Sequence, residues 1–319
     1  MKKNGWLLYE SIDASYNRWF IEKLQKECKT YDLNLELVYT DFISDAYNME
    51  LTEIAETLIK QKSVPSFIIN RSRNADISYA FEKKNIRTFN PARVTEIGND
   101  KEQSYILAEK LGIPFMPYIS ADIEPLGKEY KNEPHHYFKE SEIYIDIKNK
   151  ASEFGYPLIL KPVDGHGGKH VYFLADETAL YPALQNILAS PENTLYKKII
   201  LQRPSRIKGC DLRVYLINNR IITGMMRRSL DPNDFRANFS LGASASVHTL
   251  TREEMFLTGE LADALPSDYI GIDFIYDKNG HPVFNEYEDV VGARMLYGKT
   301  NIDIIKLYAA HIASVAAEE

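Results

Sequence analysis

The chain has 319 residues, of which 45% are hydrophobic, and a formal net charge of -7 at pH 7. This length allows two or three domains, each with a buried core. The acidic balance disfavours a general nucleic-acid-binding protein, because binding a phosphate backbone requires a basic surface. No apolar run reaches the roughly 20 residues of a membrane-spanning helix, so we expect no membrane partner.

The cysteine content favours a reducing compartment. The sequence contains two cysteines, Cys28 and Cys210, which lie far apart and form no metal-ligand spacing. Proteins that depend on disulfides or structural zinc usually carry more cysteines at closer spacing. We therefore expect a soluble cytoplasmic protein without disulfides.

The first hundred residues alternate between short strand-like runs and amphipathic helical stretches. The strand-like runs are GWLLYE, LELVYT, SFIIN and IRTFN, and the helical stretches are SYNRWFIEKLQKEC, LTEIAETLIKQ and residues 75–84. This alternation is typical of a parallel sheet with helices on its faces. We predict a small parallel α/β domain over residues 1–97, closed by the Asn90-Pro91 pair.

Residues 98–200 are predicted to form a central domain. The stretch DKEQSYILAEKLG predicts a helix that ends at Gly112 and leads into IPFMPYIS. Residues 120–150 show no clean period, so we interpret them as an insertion or a mobile loop. Beyond them, PLILKPV and KHVYFLA are strand-like runs that flank a glycine-rich loop, and KKIILQR is a further strand-like run.

Residues 201–319 are predicted to form a C-terminal domain rich in paired strands. The strand-like runs are DLRVYLI, RIITGMMRRS, YIGIDFIY and HPVFNEYE, and helices are predicted near Thr251 and in NIDIIKLYAAHIASVAA. The predicted fold class is therefore α/β (α+β), with a small parallel N-terminal domain followed by two α+β subdomains.

The glycine-rich loop lies in KPVDGHGGKHVYFL, residues 161–174. Its glycines suit any turn that needs positive φ, so a purely structural loop is one interpretation. Lys161 at the end of the preceding strand supports another, because a lysine beside free backbone N–H groups can hold a polyphosphate. His166 and Lys169 are candidate additional donors. The residues alone leave both interpretations open.

A hairpin is predicted in GIDFIYDKNGHPVFNEYEDVVGAR, residues 271–294. The pair Asn279-Gly280 is typical of a two-residue type I′ turn, so Lys278 should lie opposite His281. Counting outward from this turn fixes which residues of the two strands are neighbours. The same count predicts which acidic side chains share a face.

Three acidic side chains are predicted to lie on one face of this hairpin. The register places Asp273 opposite Glu286, and Glu288 is two residues further along the same strand. Such carboxylates repel one another unless a cation lies among them, and Mg²⁺ prefers carboxylate and phosphate oxygens. An exposed, solvated acidic face is the alternative, which the interleaved apolar residues Phe274 and Phe284 disfavour.

Together the lysine, the glycine loop and the acidic hairpin describe a nucleoside triphosphate site that lacks the Walker pattern GxxxxGK[ST] and the protein-kinase motifs. With these features the sequence resembles the ATP-grasp superfamily. The segment DLRVYLINNRIITGMMRRSLDPNDFRANFSLGASA, residues 211–245, is similar to glutathione synthetase and to the RimK-type ligases that modify a ribosomal protein. The resemblance covers about residues 95–310 and implies an ATP-grasp fold that grips ATP between two subdomains.

The resemblance also implies a nucleotide-binding role for several positions. Lys101 and Lys161 match the two lysines that reach the phosphates, and Asp211 matches the acid that holds the ribose hydroxyls. The positions that match the lid over the phosphates are Gly165, Gly167 and Gly168. The positions that match the adenine hinge are Gln202, Arg203, Pro204 and Ile207.

Metal-binding and catalytic roles are implied in the same way. The metal ligands match Asp273, Glu286 and Glu288, with two Mg²⁺ ions as the cofactor and Mn²⁺ as a substitute. The positions that orient the γ-phosphate and the acyl phosphate match Arg213, Arg228 and Asn238. Arg227 and Arg228 are adjacent, so only one of them can face the site from a strand. The resemblance selects Arg228.

The chain departs from the family pattern in three places. Glu288 stands where the family usually has Asn, which adds a negative charge beside the metal. The usual Pro-Gly that follows is replaced by DVVGAR, so Asp289 and Arg294 are candidate substrate-binding residues. Ala243 stands where a second glycine is common in the lid strand, which should alter closure over the intermediate.

The activity that the resemblance implies is an ATP-dependent carboxylate–amine ligase working through an acyl phosphate. The carboxylate and the amine would belong to a small molecule, a peptide or a carrier protein, which the sequence does not distinguish. One alternative is a small-molecule kinase that stops at phosphoryl transfer. Another is an ATP-binding regulatory or assembly protein without turnover. Relatives are often dimers or tetramers, so a homo-oligomer is a further expectation.

Overall fold

The structure is a computed structural model that describes residues 3–44, 50–132, 138–168, 170–190, 196–205, 209–230 and 244–318. Three sheets follow one another along the described chain. The first is parallel and the other two are antiparallel. The predicted α/β (α+β) class is confirmed. Among the described residues, no helix combines the length and apolar character needed to cross a membrane.

The first sheet is parallel, with strand order β2-β1-β3-β4. Its elements are β1 (Lys3–Tyr9), α1 (Ser11–Tyr16), α2 (Arg18–Lys29), β2 (Leu33–Tyr39), α3 (Asp41–Ser44), α4 (Leu51–Gln61), β3 (Phe67–Asn70), α5 (Ala75–Glu82), β4 (Arg87–Phe89) and α6 (Ala92–Gly98). Side chains along β1 alternate between two cores: Leu7 and Tyr9 join one, and Trp6 and Leu8 join the other. This alternation buries both faces of the sheet under helices, as an apolar parallel strand requires.

The second sheet has strand order β5-β8-β6-β7. Its elements are α7 (Lys101–Lys110), β5 (Tyr118–Asp122), α8 (Glu124–Asn132), α9 (Glu142–Phe154), β6 (Leu158–Pro162), β7 (Tyr172–Leu174), a 3₁₀ turn (Glu177–Ala179), α10 (Leu180–Leu188) and β8 (Lys198–Gln202). The core of this sheet is built from residues between Ala121 and Leu201. The helix predicted in DKEQSYILAEKLG is α7.

The interpretation of residues 120–150 as a mobile loop is wrong, because most of the described residues belong to the end of β5 and to the helices α8 and α9; the interpretation as an insertion stays a prediction. In α9, Tyr144, Ile147 and Ala151 are buried at helical spacing. The Ser141 hydroxyl caps the start of α9 by accepting a hydrogen bond from the Tyr144 N–H at 3.2 Å. Alternating isoleucines at 143, 145 and 147 imitate the period of a strand and mask this helix in the sequence.

The third sheet is antiparallel, with strand order β11-β10-β9-β12-β13. Its elements are β9 (Cys210–Ile217), β10 (Arg220–Arg228), β11 (Ser244–His248), α11 (Arg252–Ala264), β12 (Tyr269–Tyr276), β13 (Pro282–Glu288), α12 (Arg294–Lys299) and α13 (Ile304–Glu318). The closing helix α13 packs against α2, so the third and first sheets share one core.

The turn between β12 and β13 differs from the predicted type I′ turn. The Asp277 N–H donates to the His281 carbonyl at 3.0 Å, so Asp277 rather than Lys278 lies opposite His281. A type I′ turn needs positive φ at both central residues. Here Gly280 has φ 85° but Asn279 does not have positive φ. The turn therefore contains one residue more than predicted.

A β-bulge compensates for this longer turn. Phe274 pairs with Phe284, and the register then shifts by one so that Asp273 pairs with Glu286. The extra residue, Asn285, lies between Phe284 and Glu286. The predicted Asp273–Glu286 pair is thus correct, although the predicted turn is wrong. Bulges of this kind are common beside functional sites, where they re-aim side chains.

Candidate functional site

A cavity of about 320 Å³ lies where residues from all three sheets and their loops meet. Most of the predicted site residues line it. They are Lys101, Lys161, Gly165, Gly167, Gly168, Gln202, Arg203, Pro204, Asp211, Arg213, Glu286 and Glu288. The predictions for Lys169, Ile207, Asn238 and Ala243 lie outside the described residues.

Lys161 projects from the end of β6 and is almost completely buried, at 6% exposure. Its amine donates a hydrogen bond to the Tyr105 hydroxyl at 3.1 Å. The Gln202 side chain donates to the same hydroxyl at 3.0 Å. Burial lowers the pKa of Lys161 to about 8, and the Glu286 carboxylate acts in the opposite direction. Tyr105 therefore holds two of the predicted nucleotide-binding side chains in place.

Lys101 connects the glycine loop to the acidic strand. Its backbone N–H donates to the Val163 carbonyl at 3.1 Å, and its amine donates to the Gly165 carbonyl. The same amine lies 3.6 Å from Glu286 Oε2. Because Lys101 begins α7, the helix fixes Lys101 and Tyr105 one turn apart on one face. That spacing was the sequence feature that could have identified Tyr105.

Two of the three glycines of the loop adopt the positive φ that the sequence predicts, whereas Gly165 does not. Gly167 and Gly168 have φ values of 67° and 73°, in the region that side chains other than glycine rarely adopt. Asp164, which the sequence analysis did not select, also lines the cavity. Burial raises the pKa of Asp164 to about 6. Its Oδ1 atom has no hydrogen-bond partner within the described ranges.

The predicted adenine hinge follows the end of β8. The Arg203 N–H donates to the Pro117 carbonyl at 2.9 Å, which ties this segment to the start of β5. The Arg203 guanidinium donates to the Gly155 carbonyl at 2.7 Å and to the Phe154 carbonyl at the end of α9. The hinge is thus supported by a helix whose last carbonyls need donors.

An arginine layer lies among the three predicted metal ligands. Asp273 is fully buried, and its two oxygens accept hydrogen bonds of 2.7 Å from Arg213 Nε and Nη2. Arg227 Nη2 donates to Asp273 at 2.6 Å, and Arg213 Nη2 also donates to Glu288 at 2.9 Å. Burial acts to raise the pKa of Asp273, but the two arginines outweigh it and hold that pKa below its usual value. Asp273 and Glu288 are therefore paired with guanidinium groups, whereas Glu286 lies beside the Lys101 amine.

Of the two adjacent arginines on β10, Arg227 faces the cavity. Arg227 is 5% exposed and lines the cavity, whereas Arg228 is exposed and does not line it. The predicted alternation is correct, but the prediction that Arg228 faces the site is wrong. Arg227 Nη2 donates to Asp211 at 2.9 Å, and Arg227 Nε donates to the other oxygen of the same carboxylate. Pairing with the buried Asp273 and the partly buried Asp211 fixes the inward-facing side of β10.

The acids offer a partial fit to a metal ion. Among the residues that the structure describes, no three His, Cys, Asp or Glu side chains are grouped so that they could hold one. Glu286 and Glu288 line the cavity with 26% and 21% of their side chains exposed. Two carboxylates of this kind suit Mg²⁺, which commonly takes one or two protein carboxylates and completes its shell with substrate phosphates and water. Asp273 is enclosed by arginines.

Neither of the two predicted substrate-binding residues lines the cavity, although Asp289 contacts Asn99, which does. Asp289 is buried and accepts hydrogen bonds from the side chains of Asn90 at 2.7 Å and Asn99 at 3.3 Å. Arg294 is exposed and donates to the Tyr16 carbonyl. Both residues connect the third sheet to the first. By contrast Arg73, which the sequence analysis did not select, lines the cavity.

Several known proteins are similar to this chain. The uncharacterised protein MG011 of Mycoplasma genitalium is 26% identical over 286 residues, which is 89% of this chain and 83% of that protein. A Vibrio vulnificus protein named as a probable alpha-L-glutamate ligase is 27% identical over 150 residues, which is 47% of this chain and 48% of that protein. The D-alanine–D-alanine ligase of Bacillus anthracis, solved in complex with ATP, shares the fold with a TM-score of 0.64 at 14% identity, covering 99% of this chain and 98% of that one.

The family match agrees with the fold and with the resemblance in the sequence. The family described as the RimK-like ATP-grasp domain matches residues 134–312, which include the glycine loop, the arginine layer and the acidic hairpin. This match covers more than half of the chain. The chain therefore belongs to the RimK-like ATP-grasp family.

Proposed function

We propose that this chain is an ATP-dependent carboxylate–amine ligase, which forms an amide through an acyl phosphate and releases ADP and phosphate. The observation that carries this proposal is one cavity in which Lys101 and Lys161 contribute ammonium groups and Glu286 and Glu288 contribute partly exposed carboxylates. Ammonium groups suit the phosphates of a nucleotide, and the carboxylates suit its metal ion. The family membership and the ligases among its relatives support the same activity.

The nucleotide would lie between the second and third sheets. The lysines and the glycine loop would hold its phosphates, and the segment Gln202–Pro204 would hold its base. The family resemblance assigns Asp211 to binding the ribose hydroxyls, but its carboxylate already accepts hydrogen bonds from Arg227. Any contact to a ribose hydroxyl would share Asp211 with that arginine.

The metal would be held by Glu286 and Glu288 together with phosphate oxygens. When bound there, Mg²⁺ supplies positive charge that neutralises the phosphate oxygens during transfer. We propose that two Mg²⁺ ions bind at this site, as in the family, and that Mn²⁺ can replace them. A role for Asp273 as a ligand would require Arg213 or Arg227 to release it, because both now bind its oxygens.

The reaction would proceed in two transfers. A substrate carboxylate oxygen attacks the γ-phosphorus, the bond to the β–γ bridging oxygen breaks, and ADP leaves. The amine then attacks the carbonyl carbon, the bond to the phosphate oxygen breaks, and the nitrogen loses a proton. Arg213 and Arg227 line the cavity, and we propose that their positive charge would stabilise the phosphoryl oxygens, although their Nε and Nη2 atoms already donate to Asp273, Glu288 and Asp211. Enclosure in the cavity limits hydrolysis of the acyl phosphate.

The first test measures release of ADP and phosphate from Mg-ATP with mixed pools of amino acids, other carboxylates, peptides and amines. The native chain is compared with Glu286→Gln, which removes a carboxylate from the cavity, and with Glu129→Gln, which removes an exposed carboxylate on α8. We expect release to need both a carboxylate and an amine. It should fall to background in Glu286→Gln and stay at the native level in Glu129→Gln.

Two outcomes of this test would support one of the alternative functions. ADP release that needs a carboxylate or hydroxyl substrate but no amine would indicate a kinase. Tight ATP binding without release from any pool would indicate a regulatory or assembly protein. Equal activity of Glu286→Gln and the native chain would contradict the assignment of Glu286 to the reaction site.

A further inference from the structure

Asn99 lines the cavity at the junction of α6 and α7. It is the last residue of α6 to be capped and lies two residues before Lys101, whose amine is 3.6 Å from Glu286 Oε2. Asn99 therefore lies near the side chains that are proposed to hold the phosphates and the metal. The residues matched by the RimK-like family begin at 134, so this position lies outside the matched region. The sequence analysis did not select it.

Two acceptors fix the orientation of the Asn99 side chain. Its Nδ2 atom donates to the Thr95 carbonyl at 2.8 Å and to Asp289 Oδ2 at 3.3 Å. Carbonyl and carboxylate oxygens accept hydrogen bonds, so the NH₂ group of the amide, and not its oxygen, faces them. Both N–H groups are thereby used. The Oδ1 atom has no hydrogen-bond partner within the part of the chain that the structure describes.

Asp289 supports this amide from the side away from the cavity. Asp289 is 4% exposed, and its other oxygen accepts a hydrogen bond from Asn90 Nδ2 at 2.7 Å. Asn90 is fixed in turn, because its amide oxygen accepts from the Tyr269 N–H at 2.8 Å. A Cβ atom on residue Gly98 would lie 3.0 Å from the Asp289 Cβ, so a glycine allows the end of α6 to come this close. Contacts between the first and third sheets thus determine where the Asn99 side chain lies.

The free oxygen of Asn99 is a hydrogen-bond acceptor, so its ligand must be a donor. Phosphate oxygens and an ionised carboxylate are acceptors only and do not suit it. The ribose hydroxyls and the amino group of adenine are donors, but Asp211 and the segment Gln202–Pro204 are proposed to hold them. The remaining donor is the amine that attacks the acyl phosphate, and this amine must lie beside the phosphate.

We propose that the Asn99 side-chain oxygen binds an N–H of the attacking amine, and that Asp289 is a positioning residue that orients Asn99 for this contact. This inference rests on the proposed ligase function and adds a residue to its second transfer. A neutral amine that donates one N–H to Asn99 keeps its lone pair for the acyl carbon. The C–N bond forms, the bond from carbon to the phosphate oxygen breaks, and the nitrogen passes its proton to the departing phosphate. Asn99 orients the amine but does not take the proton, because an amide oxygen is a very weak base.

The test separates the two transfers and uses the carboxylate and the amine that support ADP release from the pools described above. The first transfer is measured as ADP formed on the protein in a single turnover with the carboxylate and without the amine. The second is measured as amide formed when the amine is added. Asn99→Leu should lower the rate of amide formation about 10- to 100-fold more than the rate of ADP formation, because it removes a hydrogen bond that positions the nucleophile.

Two more variants test the positioning role. Asp289→Asn should lower amide formation selectively in the native background and have no further effect in Asn99→Leu, because it acts through Asn99. Asn34→Leu is the matched control, since Asn34 is an exposed asparagine of β2 that donates to Asn4 and does not line the cavity. It should behave like the native chain. Thermal melting of each variant establishes that it is folded.

Several outcomes would overturn the inference while leaving the ligase function intact. Equal losses in both transfers in folded Asn99→Leu would indicate a structural role, and unchanged amide formation would exclude the contact. A changed dependence on Mg²⁺ concentration with an unchanged KM for the amine would indicate that Asn99 faces the water shell of the metal. Additive effects of Asp289→Asn and Asn99→Leu would overturn the positioning role. Absence of ADP release from every pool would overturn both the inference and the ligase function.

Discussion

Nucleotide binding should be coupled to protonation of Lys161. Burial lowers the pKa of this amine to about 8. Near pH 8 about half of the free protein molecules therefore carry a neutral amine at this position. A phosphate against the amine favours the ammonium form, because it supplies negative charge where burial has removed water. Binding then draws a proton from the buffer.

The size of the effect follows from the two pKa values. If the bound nucleotide restores the pKa to about 10.4, the ordinary value for lysine, binding takes up about 0.5 proton near pH 8 and about 0.03 proton near pH 6.5. The sign is fixed by linkage: the bound state holds the proton more tightly, so affinity falls as the pH rises. Between pH 8 and pH 9 the Kd for Mg-ADP should rise about fivefold.

Calorimetric titration of Mg-ADP in buffers of different ionisation enthalpy measures the uptake directly. Lys161→Arg is the control, because arginine stays charged at this pH and should abolish the uptake. Nucleotide binding without proton uptake near pH 8, or equal uptake by the native chain and Lys161→Arg, would refute the reasoning. The first result would mean that phosphates do not approach this amine, and the second that another group takes up the proton.

Three further changes test the geometry of the cavity. Arg227→Met leaves Asp211 without its guanidinium and removes one of the two arginines that bind the buried Asp273, so it should lower the free energy of unfolding by about 3 kcal/mol, whereas Arg228→Met should have little effect in the same denaturation assay. Tyr105→Phe removes the acceptor of two buried donors, one of them Lys161, and should cost about 1–3 kcal/mol in urea unfolding and weaken Mg-ADP binding. An unchanged unfolding curve would contradict that hydrogen-bond network. Asp164→Asn should stabilise the nucleotide-free protein by up to about 3 kcal/mol near pH 7. Because the pKa of this carboxyl is raised from its usual value to about 6 in the folded protein, its ionisation becomes increasingly destabilising as the pH rises from about 4 to about 6. The gain should therefore fall below about 1 kcal/mol near pH 4, and an equal gain at both pH values would exclude this cause.

The sequence predicted those strands and helices whose apolar residues have a regular spacing and whose order along the chain is typical of a known architecture. Strands such as LELVYT and DLRVYLI were predicted because their apolar runs are short and bounded. Their parallel or antiparallel pairing followed from the helices between them. The helix α9 was missed because its isoleucines alternate as in a strand, and capping by Ser141 and packing of Tyr144 decide its conformation.

The parts of the site that the sequence did not predict depend on register and backbone conformation. Alternation shows that adjacent arginines face opposite sides, but only the pairing of β9, β10 and β12 shows that Arg227 is the inner one. The Asp273–Glu286 pair was predicted correctly only because a bulge cancelled an error in the turn. Arg73 was missed because its approach to the cavity depends on a positive φ that no residue pattern marks.

The shared core between the first and third sheets determines how the cleft can open. Asn90 accepts hydrogen bonds from the N–H groups of Asp268 and Tyr269 and donates to the Tyr269 carbonyl, and Arg87 pairs with Asp268 at 2.7 Å. These contacts and the common core join the first sheet to the third, whereas most of the second sheet packs in a core of its own and meets the third sheet through α7, Val163 and Ile200. Any widening of the cavity would therefore move the second sheet, with Lys161, relative to the third sheet, while Arg213, Asp273 and Glu288 would keep their positions relative to the first sheet.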